Sequence, residues 1–323
     1  MSEVGLGVRG DLQPGRYVEL GELAERAGFD VLSVFGDLLF QPPLPALLLA
    51  AQATRRLRLG PACLNPYTTH PVEIAGQTAV LDHVSGGRAY VGLARGAWLD
   101  VLGVPQAHPV DAVRDAALIV RALLAGGAEG HAGRVFRLAP GTRLEQPVLR
   151  RSVPLLVGAW GPRMCAMAGE IADELKVGGS ASPAMVAVAR SRLARDSVGV
   201  VLGAVTVVDR DGELARRLAR TGVARYVDVV GRLDQAAAID PELIGRLHDL
   251  VAAGDHEAAG RLLPDDLLDR FAFAGTPERV AAQAGAVLAA GARRVEFGPP
   301  LSPHGISAGI ELLARRILPA LRG

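Results

Sequence analysis

Short apolar runs alternate with amphipathic stretches along almost the whole chain. Residues 4–8 form an apolar run, and helical patterning follows from about Gly15 to Ala27. GFDVLSVF reads as the second strand, LPALLLAAQATR as a buried helix, RLRLGPAC as the third strand and HPVEIAGQTAVLDHVS as a helix. GRAYVGLA, VPLLVGAW, ELKVGG and VGVVLGAVTVV continue the strands, with helices after each, and ARRVEFG is the eighth. The last helix is SPHGISAGIELLARRIL. Unbroken apolar runs of four to eight residues mark strands buried on both faces. Eight βα units predict an α/β TIM (β/α)8 barrel, read as one domain over residues 1–323. A doubly wound sheet is the other arrangement, but it wants GxGxxG at its first βα turn, and no helix opens on the glycines of VGLGVRGDLQPG.

Two stretches break the rhythm. Residues 127–150 (GAEGHAGRVFRLAPGTRLEQPVLR) are punctuated by Gly and Pro, which predicts an insertion of loop and short strands after helix four. Residues 230–270 have helical patterning and no strand, which predicts extra helices between strands seven and eight.

Composition narrows the class. The chain has 323 residues, half of them hydrophobic, and a formal net charge of +1, which disfavours a non-specific nucleic-acid binder. The start lacks the pattern of a signal peptide, and the longest apolar stretch, residues 44–51, is too short to span a bilayer. Two cysteines are too few for a disulfide framework or a zinc site. The expectation is a cytoplasmic protein with no membrane or nucleic-acid partner. Lys176 is the only lysine amid many arginines, as a coding bias toward arginine would give.

In a barrel of this kind the site lies at the C-terminal strand ends. These ends hold few acids or bases. No carboxylate pair, Ser-His-Asp set, G-x-S-x-G elbow or metal-binding motif occurs there, and His83, His108, His131, His248, His256 and His304 form no constellation. What the ends offer is glycine: VGAWGP and KVGGS place backbone N–H groups at helix starts, where an anionic oxygen is favoured. Such glycines are also ordinary turn residues. Backbone donors without side-chain catalysts point to a bound cofactor that carries the chemistry.

Three segments resemble the luciferase-like monooxygenase superfamily, in the branch of methylenetetrahydromethanopterin reductases that uses the deazaflavin coenzyme F420. They are LGPACLNPYTTHPVEIAGQTAVLDHVSGGRAYVGLARG, GAWGPRMCAMAGEIADELKVGG and FGPPLSPHGISAGIELLARRILP. The resemblance implies a TIM barrel with inserts, a deazaflavin or flavin in its mouth, and a phosphate held by the loops after strands five and six, around Gly158, Gly178 and Gly179. It also implies a bulge with a non-prolyl cis peptide between Ala62 and Cys63, which presses on one face of the tricyclic ring. Pro61, Asn65-Pro66 and His70-Pro71 stiffen that stretch, because each proline also restricts the residue before it. Cys63 reads as a small apolar filler or as a redox thiol.

Asp37 matches an acid of the family that is usually followed by histidine; here Leu38 follows, which puts the histidine-dependent chemistry of the sugar-phosphate dehydrogenases in question. Asp37 either accepts a hydrogen bond from the cofactor or caps a turn. Gly96 is followed by Ala97 and Trp98, an apolar lip suited to a less polar substrate than a sugar phosphate, or a lid contact. His70 is a helix-start residue or a donor to cofactor or substrate. Lys176 either points into the barrel mouth and pairs with the cofactor's phosphate or acidic tail, or points outward into solvent, and Arg163 at the start of helix five is a candidate phosphate partner. Asp37 and His70 are the candidate catalytic groups, and no metal is expected.

The activity implied is hydride transfer between F420 and a small organic substrate, since a deazaflavin does not readily activate oxygen. The alternatives are an FMN-dependent monooxygenase on the same fold and a cofactor-binding barrel without catalysis. A homodimer is expected from the family.

Overall fold

A computed structural model describes residues 2–127, 129–234 and 239–322. The elements run β1 (Glu3–Val8), α1 (Pro14–Ala27), β2 (Val31–Val34), α2 (Pro43–Ala53), β3 (Arg58–Pro61), α3 (Pro71–Ser85), β4 (Val91–Ala94) and α4 (Pro109–Leu124). A hairpin of β5 (His131–Ala132) and β6 (Arg137–Leu138) precedes β7 (Leu155–Gly158), α5 (Pro162–Ile171), β8 (Glu174–Gly178), α6 (Pro183–Arg192), β9 (Gly199–Val208) and α7 (Gly212–Val230). Then come α8 (Pro241–Ala252), α9 (His256–Arg261), α10 (Asp265–Phe271), β10 (Ala272–Gly275), α11 (Pro277–Ala289) and β11 (Arg294–Leu301). The chain ends in α12 (Ile306–Leu312), a π-helical stretch at Leu313–Ile317, and α13 (Leu318–Arg322). Proline stands in the first turn of α1, α2, α3, α4, α5, α8 and α11, where its missing N–H leaves no helical bond unmade.

The strand order is β3-β2-β1-β11-β9-β8-β7-β4, with β10 on β9. Bridges Leu59–Ala89 and Leu64–Leu93 set β3 beside β4. This is a nearly closed parallel barrel with helices between its strands, the TIM-barrel class. The eight expected strands are β1, β2, β3, β4, β7, β8, β9 and β11. β10 is an addition that the pattern does not separate from the helix before it. α10 ends at Phe271 and β10 begins at the next residue, with no turn residue between them to mark the change. It pairs in parallel with β9, Ala272 opposite Val205.

Contacts divide the chain into two compact units, one of residues 7–175 and 193–198, the other of residues 1–6, 176–192 and 199–323. In the first, the insertion at 127–150 contains the short antiparallel β5–β6 pair; residue 128 lies outside the described residues. Asp115 of α4 anchors that hairpin. Its carboxylate accepts from the backbone N–H groups of Val135 (2.7 Å) and Phe136 (3.1 Å) and lies 3.0 Å from His131 Nε2. His131 therefore has a structural partner that its sequence position does not reveal. Further along, Arg150 forks onto Asp82 of α3 and donates to the Ala89 carbonyl.

In the second unit, the insertion at 230–270 is helical, as α8, α9 and α10, with residues 235–238 outside the described ones. Buried Arg216 of α7 ties α10 down through Asp269 (2.6 Å) and Asp265 (2.9 Å). This unit buries an ionic cluster. Lys176 of β8 donates to Glu296 of β11, and Arg294 Nε lies 3.7 Å from the other Glu296 oxygen and its Nη1 3.4 Å from Glu3 of β1. Arg294 is fully buried and Glu296 nearly so.

Two outcomes follow from these anchors. Lys176→Met leaves Glu296 without its ammonium in a buried setting, and a loss of about 3–5 kcal/mol is expected in urea unfolding. For Asp115, burial pushes its carboxyl up, but hydrogen bonds from His131, Val135 and Phe136 outweigh that and hold it below the usual carboxylate range. A carboxyl lowered by folding stabilises the fold above its unfolded value of about 3.9 and loses that contribution as pH falls through the folded value. Amide protection at Val135 and Phe136 should therefore drop on acidification below about pH 4 and hold near neutrality.

Candidate active site

The exit of β3 is bound on both sides. The Ala62 N–H donates to the Val34 carbonyl (2.8 Å), the Leu64 N–H to the Gly92 carbonyl (2.9 Å), and the Ala94 N–H to the Leu64 carbonyl (2.9 Å). The Ala62–Cys63 peptide between these bonds is cis, as is Pro299–Pro300 at the end of β11. The segment just past β2 and the neighbouring strand β4 admit this bulge because each presents a glycine there. A Cβ on Gly36 would overlap the Cys63 carbonyl oxygen, and one on Gly92 would overlap that of Pro61. Cys63 is half-buried and packs on Val31, Tyr90 and Leu156, with Sγ 3.0 Å from where a Cβ on Gly158 would stand. That is the environment of an apolar filler. Below it, Ser33 and Tyr90 share a hydrogen bond of 2.6 Å, and the Arg58 guanidinium lies 5.9 Å from the Tyr90 ring centre.

The following loop is built on Asn65. Its buried side-chain oxygen accepts from the Tyr67 N–H (3.1 Å), the Thr68 N–H (3.0 Å) and the Thr68 hydroxyl (3.1 Å). Its side chain lies against Gly96, which holds a left-handed φ of 90°. The Tyr67 hydroxyl donates to the Ala107 carbonyl (3.0 Å). Burial pushes the Tyr67 phenol above its usual value, with the Arg95 charge pulling the other way. His70 is exposed and caps α3: its Nδ1 accepts from the Val72 N–H at 3.3 Å, and its ring meets Phe136 edge-on at 5.6 Å. Asp37 is half-buried, one residue beyond Gly36.

The two glycine turns differ. At the start of α5, capped by Gly161 with no side-chain bond, the N–H groups of Gly161, Arg163 and Met164 carry no hydrogen bond among the described residues. A Cβ on Gly161 would meet nothing within 4 Å. Arg163 is exposed and has no ion pair among the described residues. After β8, by contrast, the N–H groups of Gly179 and Ser180 both donate to the Gly203 carbonyl, at 2.6 and 3.1 Å. Those amides are engaged within their own unit, which corrects the expectation that KVGGS offers them to an anion. Lys176 is corrected likewise, since its ammonium is enclosed with Glu296. Gly178 ends β8, and a Cβ there would meet nothing within 4 Å.

Gly36 and Gly92 are the functional positions that residue-type reasoning passes over. Their signal is a glycine just past the end of the strand before the proline-rich third strand, and one inside the strand after it. Among the described residues no group of three or more His, Cys, Asp or Glu side chains is placed to hold a metal ion, and no helix is long and apolar enough to cross a membrane.

Gly92→Ala is expected to cost about 1–3 kcal/mol of stability, because its new methyl meets backbone. Gly15→Ala, whose Cβ meets nothing within 4 Å, should leave the melting temperature unchanged or slightly raised.

A family model described as luciferase-like monooxygenase matches residues 3–294. The chain is 28% identical to the 5,10-methylenetetrahydromethanopterin reductase of Methanopyrus kandleri, over 99% of both chains. It is 28% identical to the reductase of that name from Archaeoglobus fulgidus, covering 95% of this chain and 97% of the relative. In three dimensions it superposes with a TM-score of 0.89 on the coenzyme F420-dependent tetrahydromethanopterin reductase of Methanopyrus kandleri, at 27% identity over 99% of each chain. With that family model covering most of its length, the chain belongs to the luciferase-like monooxygenase family.

Proposed function

We propose that this chain is an oxidoreductase that moves a hydride between coenzyme F420 and a small organic substrate. The observation that carries the reading is the start of α5. Three unengaged N–H groups, an open glycine and an exposed arginine without an ion pair stand together at a helix N-terminus, a donor set that fits a phosphate. The full-length likeness to an F420-dependent reductase supports the same cofactor.

When bound, the deazaflavin supplies the hydride at its C5 carbon. The chain's own groups orient and enclose. Backbone at Ala62 and Cys63 backs a flat ring, braced by the bonds to Val34 and Gly92. Asn65 and Gly96 hold the loop beside it. Asp37 accepts a hydrogen bond from the ring or its ribityl hydroxyls. His70 keeps Nε2 available while Nδ1 caps α3, so it serves as a donor through that nitrogen only. The Gly161, Arg163 and Met164 amides and the Arg163 guanidinium hold the phosphate.

Titration of the purified chain with F420 and with FMN tests this. F420 should bind in preference to FMN, and Arg163→Ala should weaken F420 binding roughly tenfold without changing stability. Preference for FMN, with oxygen consumed on reduction, overturns the deazaflavin reading in favour of a monooxygenase.

A further inference from the structure

The exit of β1 carries a guanidinium that the fold holds in place but does not use. Side chains along a strand alternate between two faces. On β1, Val4, Leu6 and Val8 form a buried apolar face. Glu3 and Gly5 take the other: Glu3 reaches Arg294, and a Cβ on Gly5 would meet the Arg294 and Glu296 side chains. Glu296 in turn meets Lys176 across Gly203 of the intervening β9, as side chains do on the concave side of a curved sheet. The same alternation puts Gly7 and then Arg9 on that inner face. Arg9 stands at the C-terminal end of the strand, where barrels of this class hold their sites.

The backbone around Arg9 is fixed. The buried Tyr17 hydroxyl donates to the Arg9 carbonyl (2.9 Å). Gln41 donates from its backbone N–H to the Gly10 carbonyl (2.9 Å) and from its side chain to the Leu12 carbonyl (2.7 Å). The guanidinium, by contrast, is unmet. Its Nε is buried and has no hydrogen-bond partner, although the side chain as a whole is 36% exposed. Asp11 approaches that nitrogen at 3.4 Å without hydrogen-bonding geometry, and it is the one ion pair of Arg9 among the described residues. The other inner-face arginines have carboxylates, Arg58 with Glu174 and Arg294 with Glu3. A desolvated donor left without a partner costs stability and calls for an explanation.

Strand order decides which ligand Arg9 can meet. From the bulge on β3, β4 and then β7 lie on one side, and β2 and then β1 on the other. The phosphate-type turn at the start of α5 follows β7, and Arg95 at the exit of β4 lies on that same side. Arg9 lies on the opposite side. A cofactor reaching from Ala62–Cys63 to α5 therefore extends away from it. We infer that Arg9 binds a carboxylate of the substrate. This rests on the hydride-transfer reading, which places the cofactor. A planar carboxylate matches the fork of guanidinium N–H groups. Asp11 beside Arg9, and Asp37 at the exit of adjoining β2, repel a phosphate dianion more than they repel a single carboxylate.

Ligand-observed NMR titration of the full chain, with and without F420, against butyrate and benzoate, their neutral amides, and phenyl phosphate tests the assignment. The acids should bind the wild type roughly tenfold more tightly than the amides. Arg9→Gln should remove that difference, with Tm unchanged or slightly raised because the orphaned Nε is gone. Asp11→Asn should tighten the acids, the opposite sign. Were Arg9 and Asp11 only a surface ion pair, neither variant would move acid binding, and that result overturns the proposal. Acids that bind no better than their amides overturn it too, as does a preference for phenyl phosphate. Loss of acid binding in Arg163→Ala rather than in Arg9→Gln also overturns it, since the anion would then occupy the cofactor's phosphate seat. If F420 fails to bind while the acids still respond to Arg9→Gln, the cofactor reading falls and the carboxylate seat stands. If F420 binds and the acids ignore Arg9→Gln, the Arg9 assignment falls alone.

Discussion

The close approach of backbone to backbone around the third-strand exit is the constraint on which the rest of the site depends. The Pro61 and Cys63 carbonyls point at Gly92 and Gly36, and only hydrogen atoms stand between them and the neighbouring chain. Because both neighbours yield, the bulge turns inward at Ala62–Cys63 and keeps its hydrogen bonds to β2 and β4 on either side. Asn65 and Gly96 inherit their positions from that turn. Nothing in the arrangement needs a charged catalytic side chain, which agrees with a protein whose chemistry comes from a bound heterocycle.

The other unit is stabilised differently. There the interior is ionic, with Lys176, Glu296, Arg294 and Glu3 linked across β8, β11 and β1. Buried ion pairs are weak sources of net stability, but they penalise any register that separates the partners. A strand slip of one residue in β11 would turn Arg294 and Glu296 to the opposite face. The cluster thus favours one pairing of strands that are otherwise interchangeable runs of valine and glycine.

Most of the fold was legible because buried parallel strands and amphipathic helices have different periods, and proline marks the helix starts. β10 was not, since AFAG follows Phe271 without a turn residue and is as apolar as the end of the helix before it. At the site, the bulge and the α5 turn were readable from GPACLNPY and GAWGPR, the first only through resemblance to a family. Amide occupancy was not readable. VGAWGP and KVGGS look alike as sequences, yet the amides of the second are taken by the Gly203 carbonyl, contributed by a strand some twenty residues further along the chain. The fate of Lys176 was hidden for the same reason, because Glu296 is 120 positions away. Local sequence states which donors exist, and long-range pairing decides which stay available.

The enclosure of Lys176 has a practical side. It is the chain's only ε-amine, and at 7% side-chain exposure it is shielded inside a barrel wall. The other long cationic side chains are all arginine guanidinium groups. Reagents and enzymes that acylate, crosslink or tag lysines therefore meet a folded molecule with almost no target, and labelling at that residue would report on unfolding rather than on the native exterior.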